Sequence, residues 1–392
     1  MLELSHRLDG FQESTIRKMT RIANQYEAIN LAQGFPDFDP PKEIIEELQR
    51  AAIEGPHQYA VTWGAQDFRE ALAKKQEHFM GIKIDPNENI VVTCGSTEAM
   101  MTAMMSICEV GDKVAIFSPF YENYAADTIL CGAQPIYIPL KPPTFDFDRD
   151  ALEDAFKAGA KALILCNPSN PIGKVFTEEE LLDIAKIVEK YDAYVITDEV
   201  YEHIVYAPYR HIYFAALPGM FERTISCSSL SKTYSITGWR LGYVIAPKQI
   251  IDQCKKVHDF LTVGAAAPLQ RAAAIGLKFE DDYYEELTRI YTEKRELFLK
   301  GLDSIGLRYF KPEGAYYVMV DIEEFGMASD NEFAERLIKE VGVAGVPGSS
   351  FFKEDVNRYI RFHYAKKPET LESALGRLQH IRKHLGNCET TV

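Results

Sequence analysis

The stretch "KALILCNPSNPIGKVFTEEELLDIAKIVEKYDAYVITDEVY", Lys161 to Tyr201, decides the fold. It opens with "KALILC" and closes with "AYVITD", two short runs of continuous apolar character. Runs of that kind, without polar alternation, are strands buried on both faces. Between them, Thr177 and Glu180 form a capping box ahead of "EEELLDIAKIVEK", whose apolar residues recur at helical spacing. Strands joined through a helix run parallel, and helices then cover the sheet.

The same rhythm extends outward from this unit. "NIVVTCG" (Asn89–Gly95) leads into the helical "STEAMMTAMMSIC", and "KVAIFSP" (Lys113–Pro119) leads into "YENYAADTILCG". "QPIYIPL" ends in a Pro-rich turn at Lys141–Thr144, and "RTISCSS" is a further short apolar strand. The expected class is therefore α/β, with a mostly parallel central sheet and helices on both faces. After about Asp281 the pattern changes to a long charged helix, then the strands "GAYYVMVD", "VAGVPG" and "RYIRFHYA", then a terminal helix from about Glu369. We expect an N-terminal segment (1–44) belonging with a smaller α+β domain (284–392), and a large domain spanning 45–283.

Composition narrows the classes of function. A chain of 392 residues is too long for one simple core and suits a large domain with a smaller partner. The net charge of −15, from 43 basic and 58 acidic residues, argues against a nucleic-acid surface. No apolar run reaches the roughly 18 residues of a membrane span, and "MLELSHRLDGFQEST" is polar and amphipathic, unlike a secretory leader. Seven scattered cysteines, the last at Cys388, contain no C-x-x-C pair, so neither a disulfide framework nor a metal site is expected. Reduced thiols in a cytoplasmic protein are the expectation.

Ligands of open α/β sheets bind beyond the carboxyl ends of the strands. Five such ends carry unusual polar residues: Gly95-Ser96-Thr97, Pro119-Phe120-Tyr121, Asn167 to Gly173, Asp198 to Tyr201, and Ser228 to Lys232. In "SSLSKTYSITGWRLGY" (Ser228–Tyr243), Lys232 is a primary amine able to form a Schiff base with a carbonyl. Asp198 ends an apolar strand, where a lone carboxylate needs a cationic partner. Gly95-Ser96-Thr97 opens a helix whose free N–H groups favour a phosphate, and Arg240 can grip a phosphate through two parallel hydrogen bonds. Taken singly, each has a plainer reading: a solvated lysine, an ion-paired aspartate, an ordinary helix cap. Together, an aldehyde-reactive amine, a partner for a ring cation and a phosphate cradle describe a pyridoxal 5′-phosphate site. A nicotinamide enzyme would need G-x-G-x-x-G after a strand, and a nucleotide-phosphate enzyme G-x-x-x-x-G-K-[ST]; neither motif occurs.

Read in order, "NPSNPIG", "TDEVY", "SLSKTYSITGWRLGY" and "YIRF" resemble the fold-type-I, class I/II aminotransferases. The resemblance covers nearly the whole chain, from "NLAQGFPDFDPP" to "YIRFHYA". It implies that Lys232 holds pyridoxal phosphate covalently and then moves protons as general base and acid. It implies that Asp198 pairs with the ring nitrogen, that Tyr201 and Asn170 bond the ring's phenolic oxygen, and that Tyr121 stacks on the ring. Gly95, Ser96, Thr97, Ser229 and Arg240 would hold the phosphate, joined by Tyr59 of a neighbouring subunit, which implies a homodimer with shared active sites. Arg361 would clamp the substrate carboxylate, with Asn170 and the backbone of Gly34 beside it. Cis peptides at Asn170–Pro171 and Ser118–Pro119 follow from the same resemblance, and Trp239 is expected to pack. Two positions depart from the common pattern, Ile172 where Thr is usual and Tyr121 where many relatives have Trp or Phe.

The implied reaction moves an amino group from an L-amino acid to a 2-oxo acid such as 2-oxoglutarate. "NLAQGFPDF" resembles the branch handling aromatic, kynurenine, glutamine or methionine donors, and Phe35, Trp63 and Tyr121 suggest a wide apolar pocket for them. The alternatives are an aspartate aminotransferase or a same-fold lyase such as a cysteine-conjugate β-lyase. A dicarboxylate donor requires a second cation, and no arginine announces itself for that role.

Overall fold

The structure, a computed structural model, describes residues 4–386 apart from Gly10 and Gln12, so Cys388 lies outside the described residues. Eight strands form the main sheet in the spatial order Ile90–Thr93, Gly242–Ile245, Thr224–Ser229, Tyr194–Asp198, Ala160–Cys166, Lys113–Ser118, Gln134–Lys141, Asp146–Phe147. The five from Thr224–Ser229 to Gln134–Lys141 are mutually parallel. Their side chains alternate between two cores: Val114 and Ile116 enter one face, Ala115 and Phe117 the other. Burial on both faces is why these segments are continuously apolar. The crossover helix Glu178–Lys190 begins at Thr177 with the complete capping box.

One strand was not foreseen. Gly242–Ile245 returns antiparallel to Thr224–Ser229 and pairs on its other side with Ile90–Thr93, also antiparallel. Ser229 faces Gly242, and Gly242 faces Thr93. The loop between Ser229 and Gly242 is closed by Leu230 N–H donating to the Leu241 carbonyl at 3.1 Å. It therefore leaves and re-enters the sheet at one place, and Arg240 is held against Gly95 at the start of the helix Ser96–Ile107.

A second, antiparallel sheet has the order Tyr309–Phe310, Tyr317–Asp321, Tyr359–His363, Val346–Pro347. The 25-residue helix Asp281–Ile305 packs on it, with Phe298 meeting Phe362 at 6.2 Å between ring centroids. The first turn of that helix instead holds the main body, where the Tyr284 and Tyr234 hydroxyls lie 2.9 Å apart. Near the N-terminus, Ile29–Asn30 pairs in parallel with Val343–Ala344, which ties the start of the chain to its end. The terminal helix runs Pro368–Leu378 and is followed by a separate short helix, Ile381–Leu385. Asn170–Pro171 and Ser118–Pro119 are both cis. The six described cysteines are unpaired and buried or half-buried. Among the described residues no helix is long and apolar enough to cross a membrane.

Candidate active site

The strand ends open into one cavity of about 440 Å³. Ser96, Thr97, Tyr121, Asn170, Asp198, Tyr201, Ser229, Lys232, Arg240, Gly34 and Arg361 all line it. Two of the candidates stand apart. Gly95 sits just behind the wall as the residue preceding the helix Ser96–Ile107, with φ of 85°. Tyr59 does not line its own chain's cavity and is 85% exposed.

Asp198 is buried at the end of its strand. Its carboxylate accepts from the Tyr124 hydroxyl at 2.7 Å and from the Val200 N–H at 3.3 Å. Burial pushes its pKa up, while these two bonds and the charge of Lys232 pull it back. Among the described residues no Lys, Arg or His forms an ion pair with it. A buried carboxylate with donors but no cation is an unfinished pair, and a protonated ring nitrogen would complete it.

Lys232 donates from Nζ to the Gly34 carbonyl at 3.3 Å and lies 5.8 Å from the Tyr201 ring and 5.7 Å from that of Tyr316. Burial lowers its pKa to about 8, against the attraction of Asp198 and with help from the charges of Arg240 and Arg361. A lysine near neutrality is both a usable nucleophile and a usable proton carrier. The Tyr201 hydroxyl is 2.9 Å from that of Tyr317, which fixes its direction.

A close three-way approach builds the anion cradle. A Cβ on Gly95 would overlap the Arg240 guanidinium, and one on Gly242 would overlap the Gly95 backbone. Glycine at both positions lets Arg240 lie against the start of the helix Ser96–Ile107, whose first residues, Ser96 and Thr97, line the cavity. Arg240, at φ 56°, donates to the Thr237 carbonyl at 3.0 Å.

Arg361 is fully buried in the middle of the smaller sheet, opposite Met319 and Val346. Its guanidinium is sandwiched between Tyr317 at 4.2 Å and Phe351 at 4.4 Å. One Nη donates to Asn170 Oδ1 at 2.6 Å and the other to the Ala32 carbonyl at 3.0 Å, while Nε has no protein partner. Asn170 is thus oriented by Arg361, and its amide nitrogen carries no protein bond among the described residues.

Sequence reading had missed Tyr124, Tyr316, Tyr317, Glu122 and the wall contributed by Ser14, Ile16, Arg17 and Gln33. The spacing of Tyr121 and Tyr124, one helical turn apart in "YENY", was the available signal for the first. Trp63 does not line its own chain's cavity and lies 5.0 Å beneath the Lys255 ammonium, whereas Phe35 and Tyr121 do line it. Trp239 packs against the core cluster that includes Tyr243, as expected.

Residues 26–378 match the family described as aminotransferase class I and II. The chain is 36% identical to the methionine aminotransferase of Escherichia coli over 93% of its own length and 95% of that protein's. It is 37% identical to an aspartate aminotransferase of Pyrococcus abyssi, covering 97% and 98%. The solved N-succinyldiaminopimelate aminotransferase of Mycobacterium tuberculosis superimposes with a TM-score of 0.93 at 34% identity, covering 96% of this chain and 99% of that one. The chain belongs to the class I and II aminotransferases. Members of this family use pyridoxal 5′-phosphate, and the protein is an enzyme that transfers amino groups between amino acids and 2-oxo acids.

The residues present fit that cofactor: an amine of lowered pKa, a buried carboxylate lacking a cation, and a helix start joined by an arginine. Bound there, its protonated ring supplies the electron sink that acidifies a substrate's α-hydrogen.

Proposed function

We propose that this enzyme takes its amino group from a bulky neutral L-amino acid of the aromatic, glutamine or methionine type and passes it to a 2-oxo acid such as 2-oxoglutarate. The observation that carries the reading is the convergence of Lys232, Asp198 and Arg361 on one cavity whose remaining wall includes the apolar Phe35, Tyr121 and Ile16. In this reading Arg361 fixes the substrate carboxylate in a water-poor, sandwiched position. Lys232 takes a proton from the substrate's α-carbon, holds it as the ammonium, and gives it back in a 1,3 shift, two atoms along. Asp198 keeps the cofactor ring cationic, with Tyr124 holding the carboxylate in line. Asn170 and Tyr201 donate to the ring oxygen, and Tyr121 covers the ring. Ser96, Thr97, Ser229, Arg240 and the backbone turn at Gly95 hold the phosphate, and the Gly34 carbonyl accepts from Lys232 while its amine is free.

The working unit in this proposal is a cytoplasmic homodimer. Tyr59 at 85%, Ile53 at 83% and Phe260 at 91% exposure are large apolar groups in water, and a second copy covering them would carry Tyr59 toward the partner's phosphate. Within each subunit, segments 1–44 and 284–392 form the smaller domain that carries Arg361, against the larger 45–283 body that carries Lys232.

The test loads the protein with pyridoxal phosphate and supplies single L-amino acids with 2-oxoglutarate, quantifying glutamate. Methionine, glutamine or tyrosine should support the transfer, and Lys232→Ala should abolish it. Transfer from aspartate alone would overturn the donor assignment.

A further inference from the structure

The helix Lys248–Thr262 buries a stripe made of Ile250, Ile251, Cys254 and His258. His258 is the polar member of that stripe, and its side chain has no exposed surface. A buried imidazole needs partners for both ring nitrogens. Nδ1 lies 2.6 Å from Glu98 Oε1, and Nε2 lies 2.8 Å from the Thr62 carbonyl. A carbonyl only accepts, so Nε2 carries a proton. A second proton sits between Nδ1 and the carboxylate, because two bare acceptors repel at that distance. The two side chains thus form a buried ion pair, to which the Thr262 hydroxyl adds a bond to Oε1 at 3.1 Å.

Glu98 stands in the first turn of the helix Ser96–Ile107, directly behind the anion cradle. Its other oxygen, Oε2, reaches back past Gly95 and accepts from the Cys94 N–H at 2.5 Å. The Thr93 hydroxyl donates to the Gly95 carbonyl at 3.0 Å. The turn that aims Ser96 and Thr97 is therefore fixed from behind before the helix begins. Burial would raise the pKa of Glu98, but the bonds from His258 and Cys94 hold it below the ordinary value. An ionised carboxylate so near an anion site would repel a phosphate, and the charge on His258 cancels it. Thr62 follows shortly after Tyr59, so the same imidazole also anchors the segment that carries Tyr59.

We propose that Glu98 and His258 are the positioning pair of the phosphate cradle. Glu98 fixes the turn at Cys94 and Gly95, while His258 neutralises Glu98 and ties it to the Tyr59 segment at Thr62. This rests on the reading of Ser96, Thr97 and Arg240 as phosphate ligands and adds what keeps them aimed. Neither member of the pair lines the cavity, so both act through the cradle. A pair that only fastened the helix Lys248–Thr262 to the helix Ser96–Ile107 would affect every ligand of the cavity alike. One that aims the cradle affects ligands that carry a phosphate.

The test titrates the cofactor-free wild type, Glu98→Ala, Glu98→Gln and His258→Phe with pyridoxal 5′-phosphate and with pyridoxal, which lacks the phosphate; fluorescence reads binding. Glu98→Ala and His258→Phe should bind pyridoxal phosphate about 10- to 100-fold more weakly, as for lost bonds to a charged group, and pyridoxal less than about threefold more weakly. Glu98→Gln keeps an acceptor for the Cys94 N–H and offers its amide to a neutral His258, so it should bind close to wild type. Equal losses for the two ligands, or an unchanged preference for pyridoxal phosphate in Glu98→Ala, would overturn this proposal and leave the phosphate site standing. Wild type that binds the two ligands equally would overturn the phosphate site itself. Should the Ala and Phe variants fail to fold, nitrogen-15 NMR of the cofactor-free protein decides. Wild type should show one histidine with slowly exchanging protons on both ring nitrogens, and Glu98→Gln should lose one of the two. Absence of such a histidine from wild type would overturn the pair.

Discussion

Tyr124 donates to Asp198 Oδ2 at 2.7 Å from a ring that is itself almost fully buried. The two residues lie 74 positions apart, one on the helix Asn123–Leu130 and one at the tip of a central strand. The bond stabilises the ionised carboxylate that the proposed pairing with the cofactor ring requires, and it is the strongest pull against the upward push of burial. Tyr124→Phe removes the donor and keeps the ring. The pKa of Asp198 should then rise and the cofactor should dissociate about 5- to 10-fold more readily, the effect of roughly 1 kcal/mol for one hydrogen bond. Fluorescence titration of the cofactor-free protein reads this directly; an unchanged dissociation constant would show that Val200 N–H alone suffices.

Lys232 carries the pH dependence. Burial favours its neutral form and brings its pKa to about 8, from the ordinary 10.5. At pH 7 roughly one-tenth of the amine is then unprotonated, far more than for a solvated lysine. In the cofactor-free protein, the rate of capture of an added aldehyde should rise through a midpoint near 8. The sign for stability is the same. Between about 8 and 10.5 the unfolded chain holds a proton that the native one has released, so the cofactor-free fold gains stability as pH rises across that window. A midpoint near 10.5 would mean that Lys232 is solvated in the working protein.

Gly95 and Gly159 separate backbone strain from loss of the cradle. Both have positive φ, 85° and 93°, but a Cβ on Gly159 meets nothing within 4 Å while one on Gly95 meets Arg240. Each change to Ala should cost about 1–2 kcal/mol in unfolding free energy from the left-handed backbone. Only Gly95→Ala should also displace the guanidinium and weaken retention of the phosphate. Equal cofactor affinity in the two variants would remove Arg240 from the phosphate site.

Lys75 and Glu202 form a buried ion pair at 2.8 Å, with the carboxylate also taking bonds from Gln76, Tyr213 and Tyr243. Burial alone would raise the pKa of Glu202, but the charge and hydrogen bond of Lys75, with the adjoining His203, hold it well below the usual carboxylate range. Glu202 follows Tyr201, so this knot also steadies the cofactor loop. Lys75→Met strands a buried charge and should cost about 3–5 kcal/mol, whereas adding Glu202→Gln should restore much of it. Urea unfolding of the single and double variants measures both. A single variant as stable as wild type would show that the carboxylate is protonated.

The sequence alone determined most of the elements and the class of chemistry. Apolar runs, the Thr177–Glu180 capping box and the alternation of strand and helix are local signals, because each depends on residues within a turn or a pleat of one another. Lys232, Asp198, Arg240 and Arg361 were legible because few other uses place an amine, a carboxylate and arginines at strand ends in that order. Tertiary structure decided which side chains meet. Lys232 reaches Gly34 across 198 positions and Arg361 reaches Asn170 across 191. Gly242 seats Gly95 against Arg240 only because it pairs with Thr93 and Ser229 at once. The absence of Trp63 from its own chain's pocket wall and the arrival of Arg17 on it were settled in the same way. Both depend on how separate elements pack, and no periodicity within one element carries that information.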